Sequence, residues 1–297
     1  MEKVLVLMAT YNGEKYLQEQ LCSLYNQKNV SVSVLVRDDG SSDSTIDILK
    51  ENEKNHELKW YQGIHSNVQK GFFELMVRAK ELPFKYIAFC DQDDVWDDDK
   101  LDIAIQQIKQ YDVPALYYAG QRLVDENLKL IEIHKLNSQR SLKTRFVLSD
   151  FAGCTGVFNR ELLEQVVGFE PDYMLMHDTW ILRVCLAIGG EVIVDCAPRM
   201  NYRQHSGNTL GLGHSIGATI KQVRQYIFDY KIEKLTLELL RGYAPKMVPE
   251  YRQLAEWICT YKTDKAARDS LLNKDVIDFY NKGLNFTYWL KIKMNRL

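Results

Sequence analysis

The stretch Tyr86-Ile87-Ala88-Phe89-Cys90-Asp91-Gln92-Asp93-Asp94-Val95-Trp96-Asp97-Asp98-Asp99 decides the fold. An apolar run without charge reads as a short strand buried on both faces, the composition of a central strand in a parallel sheet. Six acids in the nine residues that follow repel one another unless something neutralises them. A hard divalent cation with oxygen ligands is a natural counter-charge, because Mg²⁺ is commonly held by one or two carboxylates plus phosphate oxygens. Asp97 to Asp99 have a simpler reading at the start of the next helix, where negative charge meets the positive end of the dipole.

Outward from this stretch, the first ~120 residues alternate strand-like and helix-like segments, the pattern of a sheet flanked by helices. Lys3 to Ala9, Val32 to Val36 and Leu58 to Tyr61 are the strands before it, and Ala115 to Ala119 the strand after it. Helical patterns end near Gln27, begin after Asp43-Ser44-Thr45, and cover Phe72 to Ala79 and Lys100 to Tyr111. After Gly120 the alternation stops. Leu123 to Ile133 looks extended, Leu136 to Lys143 is polar loop, and Cys154 to Phe158 is a strand leading into a helix at Glu161 to Val167. His177 to Ile188 is helical, and Glu191 to Cys196 and Arg199 to Arg203 are extended. From Ile216 only helices are expected, which divides the chain into 1–215, with halves 1–120 and 121–215, and a helical region 216–297.

The chain has 297 residues, 46% of them hydrophobic and 26% charged, enough to bury a core. Its formal charge of −2 excludes the uniformly basic balance of a nucleic-acid binder. That near-zero value conceals an asymmetry. Residues 216–297 carry 15 Lys/Arg against 9 Asp/Glu, a net of +6, and the remainder carries −8. Six cysteines scattered singly without a Cys-x-x-Cys pair read as reduced core residues. The opening segment does not read as a secretory signal, and no apolar run approaches the ~20 residues of a membrane span, so a cytoplasmic protein is expected.

Three polar clusters sit where strands end, the place where open α/β sheets bind ligands. The first, Ala9-Thr10-Tyr11-Asn12-Gly13-Glu14, lacks the Gly spacing of a dinucleotide fold. The second is Arg37-Asp38-Asp39-Gly40-Ser41-Ser42-Asp43. Capping explains its Ser42 and Asp43 but not two adjacent acids before Gly40. The third is the acidic run.

In order and spacing, Val4 to Asn12, Val36 to Asp43 and Phe89 to Trp96 resemble the family 2 glycosyltransferases. The resemblance implies an α/β chain with the GT-A fold of nucleotide-diphospho-sugar transferases, a mixed central sheet flanked by helices, here with an α-helical C-terminal extension. It implies that Thr10, Tyr11 and Asp39 hold the nucleotide base, that Asp91 approaches the ribose, and that Asp93 binds Mg²⁺ or Mn²⁺ bridging the donor diphosphate. Asn67, Lys70 and Gly71 loosely match a further donor segment, where the usual Asn-x-Gly reads Asn67-Val68-Gln69. The likeness continues through Gly153 to Arg160, His177-Asp178-Thr179-Trp180 and Tyr202 to Asn208, most similar to bacterial rhamnosyltransferases of polysaccharide assembly. By that resemblance Asp178 is the catalytic base, His177 and Trp180 lie at the acceptor, and His205 joins the metal site. The plain alternative for Asp178 is a helix cap.

These roles imply an inverting, metal-dependent transferase that moves L-rhamnose from dTDP-rhamnose, or a hexose from a UDP-sugar, onto a saccharide or lipid-linked saccharide acceptor. A sugar nucleotidyltransferase would need a Gly-rich basic phosphate loop after the first strand, and a non-catalytic binding module would not need the base. The Gly-rich stretch Ser206 to His214 is either a lid over the diphosphate or a linker. The basic, aromatic C-terminal helices meet the body, a second subunit in a homodimer, or the inner face of the cell membrane.

Overall fold

A computed structural model describes residues 1–64, 67–205 and 230–297. Its centre is a nine-stranded sheet. The strands are β1 (Glu2–Thr10), β2 (Val30–Asp38), β3 (Leu58–Gln62), β4 (Tyr86–Cys90), β5 (Val95–Trp96), β6 (Ala115–Val124), β7 (Leu130–His134), β8 (Val157–Asn159) and β9 (Glu191–Arg203). Their order is β3-β2-β1-β4-β8-β6-β9-β5, with β7 paired to β6. The first four are parallel. β8 then runs antiparallel between β4 and β6, so the sheet is mixed.

Side-chain alternation shows why the early strands are apolar throughout. Val4, Val6 and Met8 of β1 enter one core while Leu5 and Leu7 enter the other. In β4, Tyr86, Ala88 and Cys90 face the first core, and Ile87 and Phe89 the second. Helices cover both faces, so neither set of side chains meets water. α1 (Leu17–Tyr25), α2 (Thr45–Asn55) and α4 (Lys100–Ile108) supply Leu21, Leu49 and Ile105 to one side. α3 (Val68–Lys80), α6 (Arg160–Val167) and α7 (His177–Ala187) supply Met76, Leu163 and Ile181 to the other.

Four local segments differ from the sequence reading. The extended stretch after Gly120 is a hairpin, because Asp125 accepts from the backbone of Asn127 and Lys129 and turns β6 back into β7. The polar loop after Leu136 contains α5 (Leu142–Val147), begun by a Ser141 side chain that accepts from Thr144 N. Gly153–Thr155 is a 3-10 turn before β8, and the two expected strands near Cys196 form one, β9, with an irregular register beside Gly120.

The described C-terminal helices are α8 (Ile232–Tyr243), α9 (Pro249–Thr260), α10 (Lys265–Leu272) and α11 (Lys282–Lys293). They share the core of α3 and α7: Leu239, Leu254, Leu271 and Ile292 are fully buried in it. Of the cysteines, Cys90, Cys154 and Cys185 are buried, whereas Cys22 is exposed, and all six are unpaired. No helix among the described residues is long and apolar enough to cross a membrane. The Gly-rich stretch after His205 lies outside the described residues.

Candidate functional site

Parallel strands β1, β2 and β4 end at the same edge of the sheet, and the loops leaving them converge there with α7 and the 3-10 turn. Between them lies a cavity of about 490 Å³, the size that holds a nucleotide-sized ligand. Thr10, Tyr11, Asp39, Asp91, Asp93, His177 and Asp178 all line it.

On the β1–β2 side, hydrogen bonds fix each loop. The Thr10 hydroxyl donates to Asp38 Oδ2 at 2.9 Å, and Asp38 Oδ1 accepts from the N–H of Gly40 and Ser41. Gly40 turns with φ +89°, a backbone that a side chain would strain. Asp39 is paired with Arg37, a fully buried guanidinium that also donates to the Ile64 carbonyl at 2.7 Å and to Glu74 Oε2 at 3.1 Å. Gln92 clips Tyr11 through both its backbone groups, at 2.9 and 3.1 Å, leaving the Tyr11 ring half exposed at the rim.

The acidic run is arranged around the end of β9. The Arg203 N–H donates to Asp94 Oδ1 at 3.1 Å and its guanidinium to the Asp93 carbonyl at 2.8 Å. His205, two residues on, places Nε2 2.7 Å from Asp93 Oδ2. Asp91, Asp94 and Cys154 bring potential ligand atoms within 4.8 Å of one another, and Asp94 Oδ2 is buried without a hydrogen-bond partner. Burial, with Asp93 and Asp178 nearby, pushes the Asp91 carboxyl up to about 7. Burial and the charges of Asp93 and Asp91 push Asp94 up as well.

Across the cavity, α7 presents His177 and Asp178 from its first turn. Met176 occupies the cap position and Asp178 lies inside the helix, so the simple cap reading of Asp178 does not describe its place. Its carboxylate accepts from Gly153 N at 3.1 Å and from the N–H and hydroxyl of Thr179. Burial raises it to about 6 despite those bonds. His177 stacks on Phe72 at 4.0 Å and meets Phe89 edge-on at 4.7 Å. Its two ring nitrogens have no hydrogen-bond partner, and burial lowers its pKa to about 3, so it is neutral. A Cβ on Gly153 would lie 2.6 Å from His177 Nε2, so this close approach requires glycine.

Three expected site residues stand elsewhere. Trp180 is fully buried among Phe169 and Tyr243, with ring centroids 6.3 and 6.1 Å away. It points from α7 into the core, and Asp178, two positions earlier, faces the cavity. Asn67 caps α3 by accepting from Lys70 N at 3.1 Å, and both Asn67 and Lys70 are exposed outside the cavity. Sequence reading missed Gln92, Asp94, Cys154, Arg203 and Tyr230. Asp94 had a signal, since it stands in the acidic run after the strand. Arg203 and Cys154 join the site only through β9 and β8, which no local pattern shows.

Comparison with known proteins agrees with this architecture. The family model "Glycosyl transferase family 2" matches residues 5–167. A dTDP-rhamnosyl transferase of Shigella flexneri, RfbG, is 30% identical over 234 residues, covering 73% of this chain and 78% of its own. A poly-beta-1,6-N-acetyl-D-glucosamine synthase of Staphylococcus epidermidis is 24% identical over 185 residues, 60% of this chain and 44% of its own. Among solved structures, S. aureus TarS 1-349 in complex with UDP-GlcNAc superposes with a TM-score of 0.62 at 17% identity, over 98% of this chain and 79% of its own. The mannosyltransferase PcManGT from Pyrobaculum calidifontis, in complex with GDP-Man and Mn²⁺, gives 0.60 at 16% identity, over 99% and 86%. The mixed sheet with flanking helices is therefore the GT-A fold, and the chain is a glycosyltransferase that belongs to family 2.

Proposed function

We propose that this enzyme transfers a sugar from a nucleoside-diphosphate donor to a saccharide acceptor with inversion at the anomeric carbon, in building a bacterial surface polysaccharide. dTDP-L-rhamnose is the favoured donor, supported by the extent of the likeness to the Shigella enzyme; a UDP-hexose is the second reading, supported by the fold shared with a UDP-GlcNAc-binding structure. The acceptor is lipid-linked, which places the work in the cytoplasm at the inner face of the membrane. One observation carries the proposal. A carboxylate raised to about 6 and a crowded set of acids line one cavity at the carboxyl ends of parallel strands.

The donor set fits a hard divalent cation, Mg²⁺ or Mn²⁺. Asp93 and His205 already share a 2.7 Å contact, and buried Asp94 keeps an unpartnered oxygen next to Asp91. Asp93 and His205 would hold the ion, which when bound supplies positive charge against the departing diphosphate.

The remaining work falls to the chain. Asp39, held by Arg37, accepts from a base N–H, with Thr10 and Tyr11 bounding the same pocket. Asp91, on the wall of the same pocket, accepts from a ribose hydroxyl. Asp178 accepts the proton of the acceptor hydroxyl as that oxygen bonds to the anomeric carbon. The bond from that carbon to the phosphate oxygen breaks on the opposite face, and its electron pair leaves with the nucleoside diphosphate. A base near 6 is ionised at neutral pH and stronger than an ordinary aspartate.

A panel of dTDP-, UDP- and GDP-sugars, assayed for nucleoside diphosphate release with Mg²⁺, Mn²⁺ or EDTA, tests the reading. One donor turned over slowly, in a cation-dependent way, is expected. Tight donor binding without release in the presence of a saccharide acceptor would contradict it.

A further inference from the structure

The last helix, α11, has two unlike faces. Thr287, Tyr288, Lys291 and Ile292 turn inward, and Tyr288 meets Phe279 edge-on at 5.3 Å. Opposite them Lys282, Phe286, Trp289 and Lys293 follow one another at four- and three-residue steps, which puts them on a single stripe. Phe286 is 62% exposed and Trp289 44%, and their rings are stacked at 5.9 Å. Lys293 Nζ lies 5.9 Å from the Trp289 ring. Between Lys282 and Leu297 there are four Lys/Arg and no Asp/Glu. The acid just before the helix, Asp278, accepts from Tyr280 N and Asn285 Nδ2.

The helix is also tied to the catalytic cavity. Lys291, fully buried, donates to the backbone carbonyl of Tyr230 at 2.6 Å, and Tyr230 lines that cavity. The helix is thereby bonded to the backbone of a residue in the cavity wall.

We propose that the α11 stripe docks on a bilayer surface carrying anionic headgroups, with Phe286 and Trp289 seated at the boundary of headgroups and acyl chains. Stacked aromatics flanked by cations match that boundary, where rings enter the apolar side and ammonium groups stay with the phosphates. A second copy of this chain is the poorer occupant, since pairing the stripe with itself brings like charges together. The proposal deepens the lipid-linked acceptor reading and rests on it for its purpose, but binding is measured without donor or acceptor.

The test is co-sedimentation of the full chain with phosphatidylcholine vesicles and with 7:3 phosphatidylcholine–phosphatidylglycerol vesicles, at low and high salt. Partition into the anionic vesicles with a blue-shifted Trp emission, lost in Trp289→Phe, is expected. Phe286→Ser with Trp289→Ser should lower partition at least tenfold, and Lys282→Glu or Lys293→Glu about fivefold each. Circular dichroism and cation-dependent donor hydrolysis should be unchanged, since both changes lie on an exposed face. Equal binding to neutral and anionic vesicles, unchanged binding by the double-serine variant, or a dimer in light scattering that the double-serine variant dissociates would each overturn it. Loss of donor hydrolysis in the wild type would strike the proposed function and leave the vesicle result standing.

Discussion

The two sides of the cavity are built in opposite ways. On the β1–β2 side, hydrogen bonds from the protein itself already occupy much of the polar capacity: Thr10 to Asp38, Asp38 to Gly40 and Ser41, Arg37 to Asp39, Gln92 to Tyr11. On the α7 side, His177 keeps two bare ring nitrogens, and Asp178, although it accepts from Gly153 and Thr179, is still raised by burial. A donor pocket must hold one shape before the ligand arrives, which favours an over-determined loop. A reacting group must instead be desolvated enough to change protonation during the step. Under the proposed mechanism, this asymmetry divides binding from chemistry across one cavity.

Substitutions on the two sides should separate along the same line. Asp178→Asn should lower transfer by about 10²–10⁴-fold while donor affinity stays within twofold; parallel equilibrium titration and single-turnover assays check it, and an equal loss of both would erase the division. Trp180→Ala, on the core side of the same helix, should instead cost about 3–5 kcal/mol of unfolding free energy, read by denaturant melts. Arg37→Met leaves Asp39 without its buried counter-charge, so donor affinity should fall roughly tenfold, whereas the rate at saturating donor should hold. Transfer should depend on pH through Asp178. Its active form is ionised, so the rate rises as pH increases through about 6 and flattens above it, and falls about tenfold per unit below. The limb should vanish in the residual activity of Asp178→Asn. Gln92→Ala should give the smallest change, a few-fold weaker donor binding, because the clip on Tyr11 lies at an exposed rim.

The same asymmetry explains what could be read from the chain alone. Thr10, Asp39, Asp91 and Asp93 each follow an apolar strand within a few residues, so strand pattern and local chemistry mark them together. Asp178 also carries a local mark, an acid opening a helix, although whether it capped that helix or faced a ligand depended on where the helix began. Arg203 and Cys154 carry no such mark. They reach the acids through pairing of β9 and β8 over long sequence separations, which periodicity does not encode. Trp180 lies off the cavity for a related reason: proximity to Asp178 along the chain says nothing about side, and two residues on a helix point about 200° apart. Asn67 and Lys70 were matched by residue type in a segment where capping claims the same Asn.

In the proposed mechanism the acids after β4 hold the cation that carries a nucleoside diphosphate. Calorimetric titration of dTDP and UDP into the wild type and into Asp93→Asn, each with Mn²⁺ and with EDTA, tests it most directly. One nucleotide is expected to bind the wild type with Mn²⁺, to weaken about 10³-fold with EDTA, and to bind Asp93→Asn weakly in both conditions. Equal affinity in Mn²⁺ and EDTA, or cation-dependent binding that survives in Asp93→Asn, would contradict it.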